Sequence, residues 1–152
     1  MEPAIIMLDE HTDQATKQML QQVVERKKKF EALQQKHQMI LWGTISVTVV
    51  FILYLYVYVM APYSYSFFAM FSAFVNQSNH VVFLLITMGL FGYLTMVKNK
   101  MEKAEKEYQL LRCEIINKSK MLWEKESEWK NRHKVFEMMK KNYDINLYHE
   151  NK

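Results

Sequence analysis

The feature that most constrains the fold is an uninterrupted block without charge. Residues 37–97 contain no Asp, Glu, Lys or Arg, although the 152-residue chain has 36 such residues. A soluble domain spreads its charges along the faces that meet water. A charge-free block of 61 residues, rich in aromatic and aliphatic side chains, indicates a lipid environment instead. We therefore predict an all-α membrane protein.

Two stretches of this block are long enough to cross a bilayer as helices. Residues 39–61 would form about 34 Å of helix and residues 81–97 about 26 Å, against a hydrocarbon core of about 30 Å. Residues 62–80 connect them as an outer loop, and its apolar segment 67–75 is too short to span. We expect that segment to be interfacial, with a re-entrant segment as the alternative. The sequence thus predicts a two-helix transmembrane hairpin.

Basic residues flank both predicted spans, whereas the connecting loop has none. By the positive-inside rule, both termini are therefore expected in the cytoplasm. Basic groups next to a span also attract anionic lipids. The residues expected to make such contacts are Arg26, Lys27, Lys28, Lys29, Lys98 and Lys100.

Small residues occur at similar depth in the two predicted spans. Small side chains let membrane helices approach closely. The expected packing surface consists of Gly43, Thr44 and Thr48 in the first span and Gly89 and Gly92 in the second. Scattered glycine and threonine are also common in membrane helices, so a genuine contact and chance are both open.

The segments outside the membrane have helical patterns of their own. Residues 1–38 are predicted to form an N-terminal cytoplasmic amphipathic helix, and residues 98–152 a charged cytoplasmic helix. Every seventh residue from Met101 to Tyr143 is apolar or aromatic, a heptad-like seam. Basic residues at the d positions Lys118, Lys125 and Arg132 weaken that seam. A coiled coil and a single amphipathic helix packed on a neighbour both remain possible.

The far half of the C-terminal helix is expected to project and to offer an apolar stripe to another protein, because exposed apolar stripes mark interaction sites. The residues predicted to make this protein contact are Tyr108, Ile115, Leu122, Trp123, Trp129, Phe136 and Met139.

The sequence contains no pattern typical of an enzyme or a metal site. It has no Gly-rich phosphate loop, no HExxH and a single cysteine, and its five histidines are dispersed. We expect no catalytic residue, cofactor or metal. Basic and acidic residues alternate along the flanking segments, so nucleic acid is not an expected partner.

The stretches LDEHTDQATKQML and SEWKNRHKVFEMMKKNYDINLY, together with the two-span layout, resemble a YpbF-like family of small uncharacterised bacterial membrane proteins. The resemblance implies a bacterial plasma membrane and transfers no binding or catalytic residue.

Two functions from different classes fit these features. The first is an integral membrane adaptor or accessory subunit that acts through helix-mediated contacts with another protein, or by self-association, with membrane lipids around its spans. The alternative is a small oligomeric, holin-like pore. A pore needs a polar stripe along a whole span, whereas the hydroxyls of Thr44, Ser46 and Thr48 stop halfway.

Overall fold

A computed structural model describes residues 2–8, 12–124 and 126–148, and within these ranges all regular elements are helical. The elements are α1 (Pro3–Ile6), α2 (Gln14–Leu55), a π-helical turn (Tyr56–Met60), α3 (Phe67–Asn76), α4 (Ser78–Asn117), α5 (Ser119–Leu122) and α6 (Glu126–Tyr143). The chain divides into two compact units. The central unit is Leu33–Met101, and the terminal unit combines Met1–Ala32 with Glu102–Lys152.

Two helices are long and apolar enough to cross a membrane. The first comprises Gln14–Met60 and the second Ser78–Asn117. Their most apolar windows have mean hydropathies of 2.1 and 1.9, and only 11% and 17% of those windows is buried. A core helix of a soluble protein would be largely buried by its neighbours. These helices are candidate spans by length and composition.

In the central unit, aromatic rings form contacts between the two long helices. Phe51 stacks on Phe83 with centroids 6.0 Å apart, and Tyr54 lies 5.8 Å from the same ring. A Cβ atom added at Gly43, Gly89 or Gly92 would meet nothing within 4 Å. Close packing at these three glycines is therefore not seen within the single chain, and their role in helix packing stays a prediction.

The two predicted threonines of that surface bond to their own helix. Thr44 is buried, and its hydroxyl donates to the carbonyl of Ile40 at 2.8 Å. Thr48 donates to the carbonyl of Thr44 at 2.8 Å. Such bonds to the carbonyl four residues earlier satisfy a hydroxyl without any partner helix.

Both ends of the sequence contribute to the core of the terminal unit. The N-terminal side supplies Ile5 and the α2 residues Leu20, Val23 and Val24, and α4 supplies Tyr108 and Ile115. The remaining core residues come from the last part of the chain: Trp123, Val135, Phe136, Met139, Ile145 and Leu147. The segments treated separately as 1–38 and 98–152 in the sequence analysis thus share one hydrophobic core.

The expectation of one continuous helix after the second span is wrong. Helix α4 ends at Asn117, α5 is one turn long, and Trp123 adopts a non-helical conformation with φ −130° and ψ 66°. The break allows Trp123 and Phe136 to meet edge to face at 5.6 Å inside the core. A straight helix would leave that apolar surface in water, which is unfavourable.

Candidate functional site

Lys27 holds the C-terminal end of α6. The helix ends at Tyr143, and the next residue, Asp144, is left-handed with φ 53° and donates its N–H to the carbonyl of Lys140 at 3.0 Å. The Lys27 ammonium donates to the carbonyls of Tyr143 at 2.8 Å and Asp144 at 2.6 Å. Only 10% of the Lys27 side chain is exposed. A cation at this position also favours the negative end of the helix dipole.

A second buried cation fixes the residues that follow. Arg112, on α4, donates from Nη1 to the carbonyl of Asn146 at 2.8 Å and from Nε to Gln109 Oε1 at 3.0 Å. Ile145 and Leu147, on either side of Asn146, are completely or almost completely buried. The tail after α6 is therefore held by apolar burial and by two charged donors.

A small polar cluster ties the start of the chain to α2. Lys28 Nζ donates to Glu2 Oε1 at 2.6 Å, and the Glu2 N–H donates to Gln21 Oε1 at 2.8 Å. The hydrogen bond from Lys28 holds the pKa of Glu2 below its usual value and raises the pKa of Lys28. Burial, and then the Glu2 charge, raise the pKa of the nearby Tyr143. The cluster neutralises its own charges, which is typical of a structural contact.

The terminal unit has an open cleft around two tryptophans. Its volume is about 350 Å³, and it is lined by Lys120, Trp123, Glu124, Glu126 and Trp129. Trp129 is 39% exposed, and the Arg132 guanidinium lies 3.8 Å from the centre of its ring. A stacked tryptophan and arginine form a rigid, amphipathic surface. This cleft, with Arg132 beside it, is the candidate interaction site.

The structure buries most of the residues predicted to contact another protein. Ile115 and Met139 are fully buried, and Tyr108, Trp123 and Phe136 are at most 7% exposed. They pack against the chain's own N-terminal segment and tail, so they do not form an exposed stripe. Leu122 is half-buried and packs against the core. Of the seven residues, only Trp129 is exposed enough to meet a partner directly.

The basic residues predicted to contact lipid also divide into two groups. Arg26 pairs with Glu107, Lys28 pairs with Glu2, and Lys27 is buried against the tail. The prediction that Lys27 contacts lipid is therefore wrong, because its ammonium is already hydrogen-bonded to protein oxygens. Lys29, Lys98 and Lys100 are exposed, and lipid contact at these residues stays a prediction.

Sequence reasoning missed the roles of Arg112 and of the tail residues that it and Lys27 hold. The spacing of apolar residues predicts which face of a helix is buried. It does not predict which distant backbone carbonyl will accept a hydrogen bond from a lysine or arginine. One local signal was present. Asp144 follows the apolar pattern of α6, and aspartate is one of the few residues that readily adopts a left-handed helix end. Within the described residues, no cluster of three His, Cys, Asp or Glu side chains could hold a metal ion.

Comparison with known proteins confirms the family resemblance. The chain is 38% identical over 154 residues to "Uncharacterized protein YpbF" of Bacillus subtilis (strain 168), with 100% of both chains covered. No solved structure matches the chain. Residues 19–150 match the family described as "Protein of unknown function (DUF2663)". The chain therefore belongs to the DUF2663 family.

Proposed function

We propose that this protein is a two-pass membrane adaptor that presents a folded helical unit to a protein partner in the cytoplasm. The observation that carries the proposal is the exposed Trp129 ring, with Arg132 stacked on it, beside an open cleft. Tryptophan and arginine are the residues most enriched among those that dominate binding energy at protein interfaces.

The central unit supports membrane insertion. The apolar windows of α2 and α4 are 11% and 17% buried, so lipid is the natural solvent for the remainder. Five hydroxyls in these helices donate to the carbonyl four residues earlier, at 2.8–3.0 Å: Thr44, Ser46, Thr48, Thr87 and Thr95. Internal satisfaction of polar groups is what a hydrocarbon environment requires.

The terminal unit supports the orientation. Its core contains Ile5 together with Ile145 and Leu147, which supports a topology with both ends of the chain on the same side of the bilayer. Two crossings give that topology, and one crossing would not. The excess of Lys and Arg next to both spans supports a cytoplasmic location for that side, and the family relative is from a bacterium. The proposed location is the bacterial plasma membrane.

The interaction is tested by site-specific photo-crosslinking in native membranes. A photoreactive phenylalanine analogue is placed at Trp129 and, as a matched control, at Leu110, which is 72% exposed in the same unit. The proposal expects one discrete adduct with another protein at position 129 and none at position 110. It also expects Trp129→Ala to remove that protein from the complex extracted in mild detergent, while Leu110→Ala retains it. Equal adducts at both positions contradict it.

The alternative function is a pore, and the composition of the extracted complex also tests it. If the extracted complex contains only this chain, and liposomes carrying the purified protein leak ions, the adaptor proposal fails in favour of the pore. The sequence argues against a pore, because the hydroxyls of Thr44, Ser46 and Thr48 stop halfway along the first span and do not form a continuous polar stripe.

A further inference from the structure

Helix α3 is apolar except for one narrow polar strip. Four apolar residues on its outward side are strongly exposed: Phe67 at 73%, Phe68 at 83%, Phe71 at 59% and Val75 at 51%. The helix contains two polar side chains, Ser72 and Asn76, and these bond to each other, with Asn76 Nδ2 donating to Ser72 Oγ at 3.2 Å. A helix whose surface is apolar apart from such a narrow strip must have its apolar side covered by protein or by lipid.

Protein covers only the inward side of α3, where Ala69, Met70, Ala73 and Phe74 are half-buried. His80, at the start of α4, is 1% exposed, bonds through Nδ1 with the Phe74 carbonyl at 3.2 Å and stacks on the Phe74 ring at 5.6 Å. Tyr54 of α2 meets the same imidazole edge-on at 5.3 Å. The helix is therefore fixed through Phe74 against the start of α4, whose imidazole also meets α2, and its outward side has no cover among the described residues.

The ends of α3 exclude a position deep in the hydrocarbon. Its N-cap residue, Ser66, makes no side-chain hydrogen bond to the first turn. The first N–H groups of a helix have no partners inside it, and each unsatisfied group costs several kcal/mol in lipid. Uncharged polar residues adjoin both ends, Ser64 and Ser66 on one side and Gln77, Ser78 and Asn79 on the other. These ends require water or lipid headgroups.

We propose that α3 is an interfacial helix whose Phe67, Phe68, Phe71 and Val75 side lies at the boundary between headgroups and acyl chains, in the leaflet where the two spans are joined. Lipid is the assigned occupant because the exposed side is continuous in character with the exposed apolar side chains of the neighbouring spans, such as Val57 and Val82. The helix measures about 15 Å, too short to cross. This inference rests on the proposed membrane insertion.

The test measures the depth of nitroxide spin labels in the full-length protein. Single cysteines are introduced into a Cys113→Ser chain, reconstituted in vesicles of phosphatidylethanolamine and phosphatidylglycerol. Labels at Phe68→Cys and Phe71→Cys report on α3. Labels at Val49→Cys and Ile86→Cys, both 49% exposed in the wild-type chain, report on the candidate spans. Collision rates with oxygen and with a water-soluble nickel complex give the depth of each label.

The expected result is a depth of about 5–10 Å below the phosphates for the α3 labels, the depth typical of interfacial helices. The span labels are expected near the bilayer centre. If the span labels are deep while the α3 labels collide mainly with nickel, or are as deep as the span labels, the α3 inference is overturned and membrane insertion survives. If the span labels collide mainly with nickel, both proposals are overturned.

Discussion

Replacing Lys27 with methionine separates a structural role of this residue from a lipid-binding role. Methionine keeps most of the buried aliphatic stem and removes the ammonium, whose bonds to the carbonyls of Tyr143 and Asp144 are 2.8 and 2.6 Å long. Each hydrogen bond from a charged donor contributes about 1.5–3 kcal/mol. We expect the free energy of unfolding to fall by about 3 kcal/mol, which is the lower end of the range for two such bonds. The lower end applies because Asp144 is exposed, so water will reach the carbonyl oxygens that lose their partner.

The assay is urea unfolding of the detergent-solubilised protein, followed by Trp123 fluorescence in a chain with Trp42→Phe and Trp129→Phe. Trp123 is 1% exposed, so its emission reports on opening of the core. With a urea dependence of about 2 kcal/mol per molar, the expected loss lowers the midpoint by about 1.5 M. The slope should stay unchanged if the denatured state is unaffected.

Lys29→Met is the matched control, because Lys29 is exposed two positions along the same helix. Its expected effect is below about 0.5 kcal/mol. Equal midpoints for the two variants would refute the reasoning. A role in lipid binding predicts the opposite pattern, in which both variants lose similar affinity for anionic vesicles and neither changes the urea midpoint.

Three further changes test the core, the glycines and a tyrosine. Met139→Ala should cost about 2–5 kcal/mol in the same unfolding assay because Met139 is fully buried, whereas Met121→Ala, at a residue 77% exposed, should change little. Gly92→Ala should leave thermal stability in detergent equal or higher, because the new methyl meets nothing within 4 Å; a clear loss would indicate close packing with another helix. Burial raises the pKa of the Tyr108 phenol, so stability should be full below about pH 10 and fall as the pH rises above it, and Tyr108→Phe should reduce that alkaline loss in urea midpoints.

The sequence analysis predicts the helical class and the two candidate spans well, because each depends on local composition. A charge-free block and its length are visible without any tertiary information. The heptad-like spacing from Met101 to Tyr143 predicts an apolar helix face, and three residues of that face, Tyr108, Ile115 and Phe136, lie in the core. The prediction missed what covers them, since that depends on where the chain turns back.

The turn itself had only an indirect signal. Residues 98–143 contain no Gly or Pro, so no standard helix breaker indicates the end of α4 at Asn117. The basic residues Lys118 and Arg132 at d positions of the seam were the available warning, because a long helix with a continuous apolar seam would not place charges there. Burial of Trp123 against Phe136 depends on contacts between segments, which periodicity does not report.

The core of the terminal unit joins residues from both ends of the sequence, so it can be completed only late in synthesis. Ile5 precedes both candidate spans in the chain, while Ile145 and Leu147, its companions in the same core, are made after them. The segment with Leu20 and Val23 therefore gains these native core partners only after both candidate spans have been made. A chain that terminates early lacks the segment that closes this core, so a truncated product would leave the apolar side chains of its N-terminal segment uncovered.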